Sequence, residues 1–157
     1  MSSPLTRSTP LSAQRILVVD ADHRVRDSLA GLIALADGVE VVGAASEAAE
    51  AIAAVRRTHP DIVVIDPRLP ELEAGLALVP AIHRVQPAAL VLVMGWSQSL
   101  EPAALAVGAG GFICKTDDPV GVVEAVLGAA HAARDARPGR ISAPPGGSVA
   151  PRRAALR

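Results

Sequence analysis

The chain is predicted to fold as an α/β domain, a doubly wound five-stranded parallel sheet with helices on both faces, and three observations carry that prediction. Five short β-branched runs punctuate the sequence, most of them apolar at consecutive positions, as strands buried on both faces must be. Ala- and Leu-rich stretches with helical spacing follow each run, so strand and helix alternate. A length of 157 residues with 50% hydrophobic content is ample for one core and cramped for two.

The elements follow in order. Strand one is expected at Ile16-Leu-Val-Val19 and helix one at Val25 to Ala36, with Gly38 placed to stop it. Strand two is Val39-Glu-Val-Val42. Helix two spans Ala48 to Thr58, where Ser46 ahead of Glu47 and Glu50 gives a start signal. Strand three, Ile62-Val-Val-Ile65, leads to helix three at Ala74 to Val85. Strand four, Leu90-Val-Leu-Val-Met94, leads to a short helix at Pro102 to Val107 that Gly108 ends. Strand five, Gly111-Phe-Ile-Cys114, precedes helix five at Pro119 to Ala133, whose start follows an Asp pair suited to capping.

Charge divides the chain unevenly. Residues 15–133 carry fifteen acids and eight bases, whereas residues 134–157 carry six Arg and one Asp. An acidic globule with a basic tail is therefore expected, and the tail is rich in Pro, Gly and Ser without apolar periodicity, as a linker or disordered end is. Residues 1–14 have the same character. With a formal net charge of −1 there is no global case for wrapping nucleic acid or coating an anionic membrane. The lone Cys114 cannot form an internal disulfide, the N-terminus lacks a secretory apolar core, and no window approaches ~18 uninterrupted apolar residues, so a cytoplasmic protein is expected.

In such a sheet the chemistry gathers beyond the carboxyl ends of the strands, at the switch point of the winding. Strand one delivers Asp20-Ala21-Asp22 there, strand three Asp66-Pro67-Arg68, strand four Gly95-Trp96-Ser97 and strand five Lys115-Thr116. Three carboxylates and one ammonium are expected to converge. Acids so gathered repel one another unless a divalent cation or phosphate chemistry balances them, and oxygen-only ligands suit Mg²⁺. Lys115 is the only lysine of the chain, which singles out a compact point charge that the fork of Arg does not replace. His23, His59, His83 and His131 show no paired metal-ligand spacing.

The segments RILVVDADHRVRDSL, PDIVVIDPRLPELEAGL, VGAGGFICK and DDPVGVVEAVLGAA resemble the receiver domain of two-component response regulators, CheY-like and nearest in flavour to the NarL/FixJ class. The resemblance runs from about Arg15 to about Ala133. It implies a phosphoacceptor at Asp66, Mg²⁺ held by Asp20, Asp66 and the backbone carbonyl of Arg68, and Lys115 paired first with Asp66 and then with the phosphoryl group. It implies a sensor histidine kinase or phosphotransfer protein as donor and a downstream protein on the face formed by helix four, strand five and helix five, with a homodimer as a further expected partner. No helix-turn-helix is visible after Ala133, so the expectation is a stand-alone receiver without DNA-binding output and without enzymatic activity beyond its own phosphorylation and dephosphorylation.

Departures from the family pattern are specific. Ala21 stands where the second acid of the strand-one pair is expected, leaving Asp22 as a further candidate ligand. Gly95 stands where a Ser or Thr is expected, leaving Ser97 as the candidate switch hydroxyl; Ala74 stands where Gly is common, and Phe112 occupies the aromatic switch position. These departures keep a second mechanism open, a degenerate receiver that binds its partner without phosphate. A phosphatase of the haloacid-dehalogenase type, suggested by Asp20-x-Asp22, is a remote alternative because Lys115 and Asp117-Asp118 lie too close together for its later motifs and Asp66 is left without a role. Dinucleotide and P-loop readings fail, since no glycine-rich fingerprint follows the first strand.

Overall fold

Five parallel strands, β1 (Gln14–Val19), β2 (Val39–Ala45), β3 (Ile62–Ile65), β4 (Leu90–Gly95) and β5 (Gly111–Cys114), form one sheet in the order β2-β1-β3-β4-β5. The computed structural model describes residues 12–115 and 118–137. The terminal segments expected to be linkers, together with Thr116 and Asp117, lie largely or wholly outside the described residues. Helices α1 (His23–Ala34), α2 (Ala48–Thr58), α3 (Leu72–Val85), α4 (Glu101–Ala106) and α5 (Pro119–Asp135) connect and follow the strands, with a short 3-10 turn at Gln98–Leu100 before α4.

The unbroken apolar runs explain the layering. Successive strand side chains point to opposite faces, so Ile16 and Val18 of β1 join Ile62, Val64, Leu92 and Met94 under α1 and α5, where Leu29, Ile33, Val122 and Val126 meet them. Leu17 and Val19 face the other way, with Val63, Ile65, Val91 and Val93, against Val55 of α2, Val79 and Ile82 of α3 and Ala104 of α4. Each face is thus filled by a different half of the same strands. Among the described residues no helix is long and apolar enough to cross a membrane.

Element ends are set by local chemistry. Gly38 and Gly108 both have positive φ, the conformation expected where α1 and α4 give way to the next strand. The Gln14 N–H donates to the Gly38 carbonyl at 2.9 Å, which starts β1 two residues ahead of the apolar run. α5 reaches Asp135, and the Arg134 guanidinium donates to the same Gly38 carbonyl while Arg137 pairs with Asp61. Residues 134–137, grouped with the tail by charge, thus pack on the amino-terminal edge of the sheet. α3 begins at Leu72, and its close contact is made by Gly75, not by residue 74: a Cβ at Gly75 would stand 1.6 Å from the Pro67 carbonyl oxygen.

Candidate functional site

Asp20, Asp66 and Lys115 meet at the carboxyl edge of the sheet, and all three are buried. β1 and β3 are neighbours, and each ends on an aspartate. The Asp20 N–H still belongs to the ladder, donating to Ala45 O at 3.1 Å, and the Asp66 N–H donates to Val19 O at 2.9 Å. Lys115 follows β5, and its N–H donates to Gly95 O at 2.7 Å. Two strand spacings of about 4.8 Å separate β5 from β3, so the long lysine stem must cross the end of β4, where Gly95 presents no side chain.

The ammonium bridges both carboxylates. Lys115 Nζ lies 2.9 Å from Asp20 Oδ2 and 2.5 Å from Asp66 Oδ2. The remaining oxygens each accept a backbone N–H two residues on, Asp20 Oδ1 from Asp22 at 2.9 Å and Asp66 Oδ1 from Arg68 at 3.0 Å. Every carboxylate oxygen of the pair therefore has a donor, which is what burying two such groups requires. Arg26 steadies the loop from outside, its guanidinium donating to the Asp20 carbonyl at 2.8 Å. This contact was not anticipated; a single Arg four residues inside a helix carries no distinctive sequence signal.

Asp22 is not part of this cluster. It is exposed and is the N-cap of α1, its Oδ1 accepting the Arg24 N–H at 2.9 Å. That backbone hydrogen bond is the main cause holding its carboxyl below the usual aspartate range. The expected convergence of three carboxylates is therefore a convergence of two, because the second aspartate of the Asp-x-Asp run is committed to starting the helix. Ser97 is likewise exposed, capping the short turn before α4 and sharing a 2.7 Å hydrogen bond with the Ser99 hydroxyl. Its hydroxyl faces Ser99, not the acidic pair. Trp96 is half exposed, its ring centroid 5.8 Å from Lys115 Nζ.

Over Gly95 the space is already filled. A Cβ there would stand 2.8 Å from Leu100 Cδ1 and 3.2 Å from Phe112 Cζ. The Phe112 ring, partly buried, packs on the same core layer as Val91 and Val93.

Among the described residues no group of three His, Cys, Asp or Glu side chains is gathered to hold a metal. The donor set at the site is two carboxylates and neighbouring backbone carbonyls. Mg²⁺ is commonly held by one or two carboxylates with waters completing its octahedron, so these hard oxygen donors fit that ion.

A parallel sheet of this order with buried aspartates after β1 and β3 and a lysine after β5 defines a receiver-type domain. The chain belongs to the response regulator receiver domain family, whose model matches residues 16–127. It is 38% identical over 81 residues to protein-glutamate methylesterase/protein-glutamine glutaminase 4 of Geobacter metallireducens, a match covering 52% of this chain and 23% of that protein. This chain thus spans about a quarter of that relative, and the activity in its name is not carried over. Among solved structures, a LuxR-family two-component response regulator from Aurantimonas superposes with a TM-score of 0.68 at 33% identity, covering 77% of this chain and 87% of that one. The receiver domain of the response regulator NarL from Mycobacterium tuberculosis gives 0.67 at 27% identity, covering 76% and 98%.

Proposed function

We propose that this receiver domain takes a phosphoryl group on Asp66 from a sensor histidine kinase or phosphotransfer protein and signals by protein-protein contact from a cytoplasmic location. The observation that supports the reading is the buried Asp66 carboxylate held 2.5 Å from the only lysine of the chain. An Asp66 oxygen would form the bond to phosphorus as the donor's bond to the same phosphorus breaks. This transfer depends chiefly on positioning and charge neutralisation. Lys115 is already in place, and it would exchange its contact with the free carboxylate for one with the new phosphoryl oxygens. Asp20, Asp66 and the Arg68 carbonyl would hold Mg²⁺, which supplies further neutralisation of the phosphoryl charge when bound. The helix four, strand five and helix five face, here α4, β5 and α5, is the proposed contact surface for a downstream protein or a second copy.

One observation favours a second reading, that of a domain which binds its partner without phosphate. Leu100 and Phe112 occupy the space above Gly95, and position 95 itself carries no hydroxyl to relay a change at Asp66 toward α4.

The same experiment separates them. Incubation with acetyl phosphate and Mg²⁺, followed by intact-mass spectrometry, is expected to show one added phosphoryl group that Asp66→Asn abolishes. The absence of an adduct, together with binding of a partner by the unmodified protein, would overturn the phosphoacceptor reading in favour of the second.

A further inference from the structure

Beside the acidic pair, between the first turns of α1 and α5, lies a cavity of about 350 Å³. Its floor is apolar, made by Val25, Leu29, Met94 and Val122. The half-exposed Trp96 stands as one wall, and Arg24 and Ser28 of α1 are on its lining. Lys115 also borders it, but the ammonium is held by Asp20 and Asp66, so its contribution to a ligand is mostly the aliphatic stem.

The lining defines what would fit. Arg24 is exposed and makes no ion pair with any described residue; the neighbouring acid, Asp22, is turned to the backbone N–H of Arg24. A guanidinium without a partner at the mouth of an apolar cavity suits a carboxylate, which it can hold through two parallel hydrogen bonds. The first turns of α1 and α5 both border the cavity, but each start is already capped by an aspartate, Asp22 and Asp118, so the positive charge offered to a ligand anion is that of Arg24. An exposed indole over an aliphatic floor suits a flat ring, since stacked aromatic pairs gain beyond the area they bury. The volume lies at the low end for small-molecule sites, which run from about 300 Å³ upward. A single unpaired cation and a mostly apolar lining do not suit a nucleotide or other polyphosphate.

We propose that this cavity binds a small aromatic carboxylate, its ring against Trp96 and the floor and its carboxylate on Arg24 and Ser28. Asp20 and Asp66 are not on the lining, and neither is among the contacts proposed for the ligand.

Because Trp96 is the only tryptophan, the ¹⁵N-labelled chain has one indole N–H resonance, and it reports on this wall alone. Titration with 2-naphthoate is expected to shift that resonance saturably, with 2-naphthylmethanol binding at least about tenfold more weakly, the scale of one charge-assisted contact. Arg24→Gln should bring the acid down to the affinity of the alcohol. Ser28→Phe, at an exposed helix position, should fill the cavity and remove binding of both while the protein still melts cooperatively. The proposal is overturned if naphthoate gives no saturable shift, if acid and alcohol bind alike, or if the folded Ser28→Phe variant binds as before.

Discussion

Ala21→Asp restores a carboxylate between Asp20 and the start of α1, and it should act with opposite signs on the free and the Mg²⁺-bound protein. A unit charge about 4 Å from a divalent ion gains about 2 kcal/mol in water and more where the dielectric is lower. Ala21 is exposed, so the low end applies. Fixing the new side chain takes up to about 1 kcal/mol of this. A net gain of about 1–2 kcal/mol remains, which is about five- to thirtyfold in Mg²⁺ affinity. In the absence of the ion the third acid lies near two that a single ammonium already serves, and stability should fall by up to about 1 kcal/mol through like-charge repulsion. Isothermal titration with Mg²⁺ measures the first effect; urea unfolding with and without saturating Mg²⁺, at matched ionic strength, measures the second. Equal affinities of the two proteins would refute the reasoning, since they would mean either that Ala21 does not border the ion or that Asp20 and Asp66 do not hold one.

Lys115→Met leaves two buried carboxylates without their cation and should cost about 3–5 kcal/mol at neutral pH. Urea unfolding at neutral pH measures the loss, and a difference under about 1 kcal/mol would contradict it. Gly75→Ala should destabilise by about 2–3 kcal/mol or more, because the added carbon meets the backbone of Pro67, whereas Ala74→Gly at the exposed neighbouring position should cost about 1 kcal/mol or less. Glu50 is held below its ordinary value of 4.5, first by the Ser46 N–H and then by the Ser46 hydroxyl. A carboxyl lowered on folding stabilises above its unfolded value, and that stabilisation is lost as pH falls through the folded one. The difference between the native protein and Glu50→Gln should therefore be present at pH 7, diminish once the pH falls below 4.5, and stay under about 1 kcal/mol throughout, because the side chain is exposed.

The parts of the fold legible in the sequence are those whose pattern is complete within one segment. Ile62–Ile65 and Gly111–Cys114 occupy the expected limits, as does α2 at Ala48–Thr58. Gln14 was hidden because its membership of β1 depends on a distant partner, the carbonyl of Gly38, and its own polarity argues for a loop. The two aspartates of Asp20-Ala21-Asp22 are equivalent as text, each able to cap a helix or line a site. What separates them is the ladder: Asp20 is still bonded into the sheet through its N–H, while Asp22 has left it and stands in extended conformation one residue before α1.

Gly95 shows how a missing group acquires meaning from its surroundings. The sequence alone registers the loss of a hydroxyl after β4. In the fold, Leu100 from the turn before α4 and Phe112 from β5 lie over the bare Cα, and Lys115 crosses the same strand end on its way to Asp66 and Asp20. A side chain reinstated at position 95 would meet Leu100 Cδ1 2.8 Å from the new carbon, and that atom is the end of a flexible side chain on a residue that caps α4 without a side-chain hydrogen bond. A rotamer change at Leu100 can therefore make room for a new side chain while the backbone start of α4 stays in place. The glycine, the leucine and the phenylalanine thus share one space at the end of β4, and a larger side chain at position 95 is accommodated only as the other two give way.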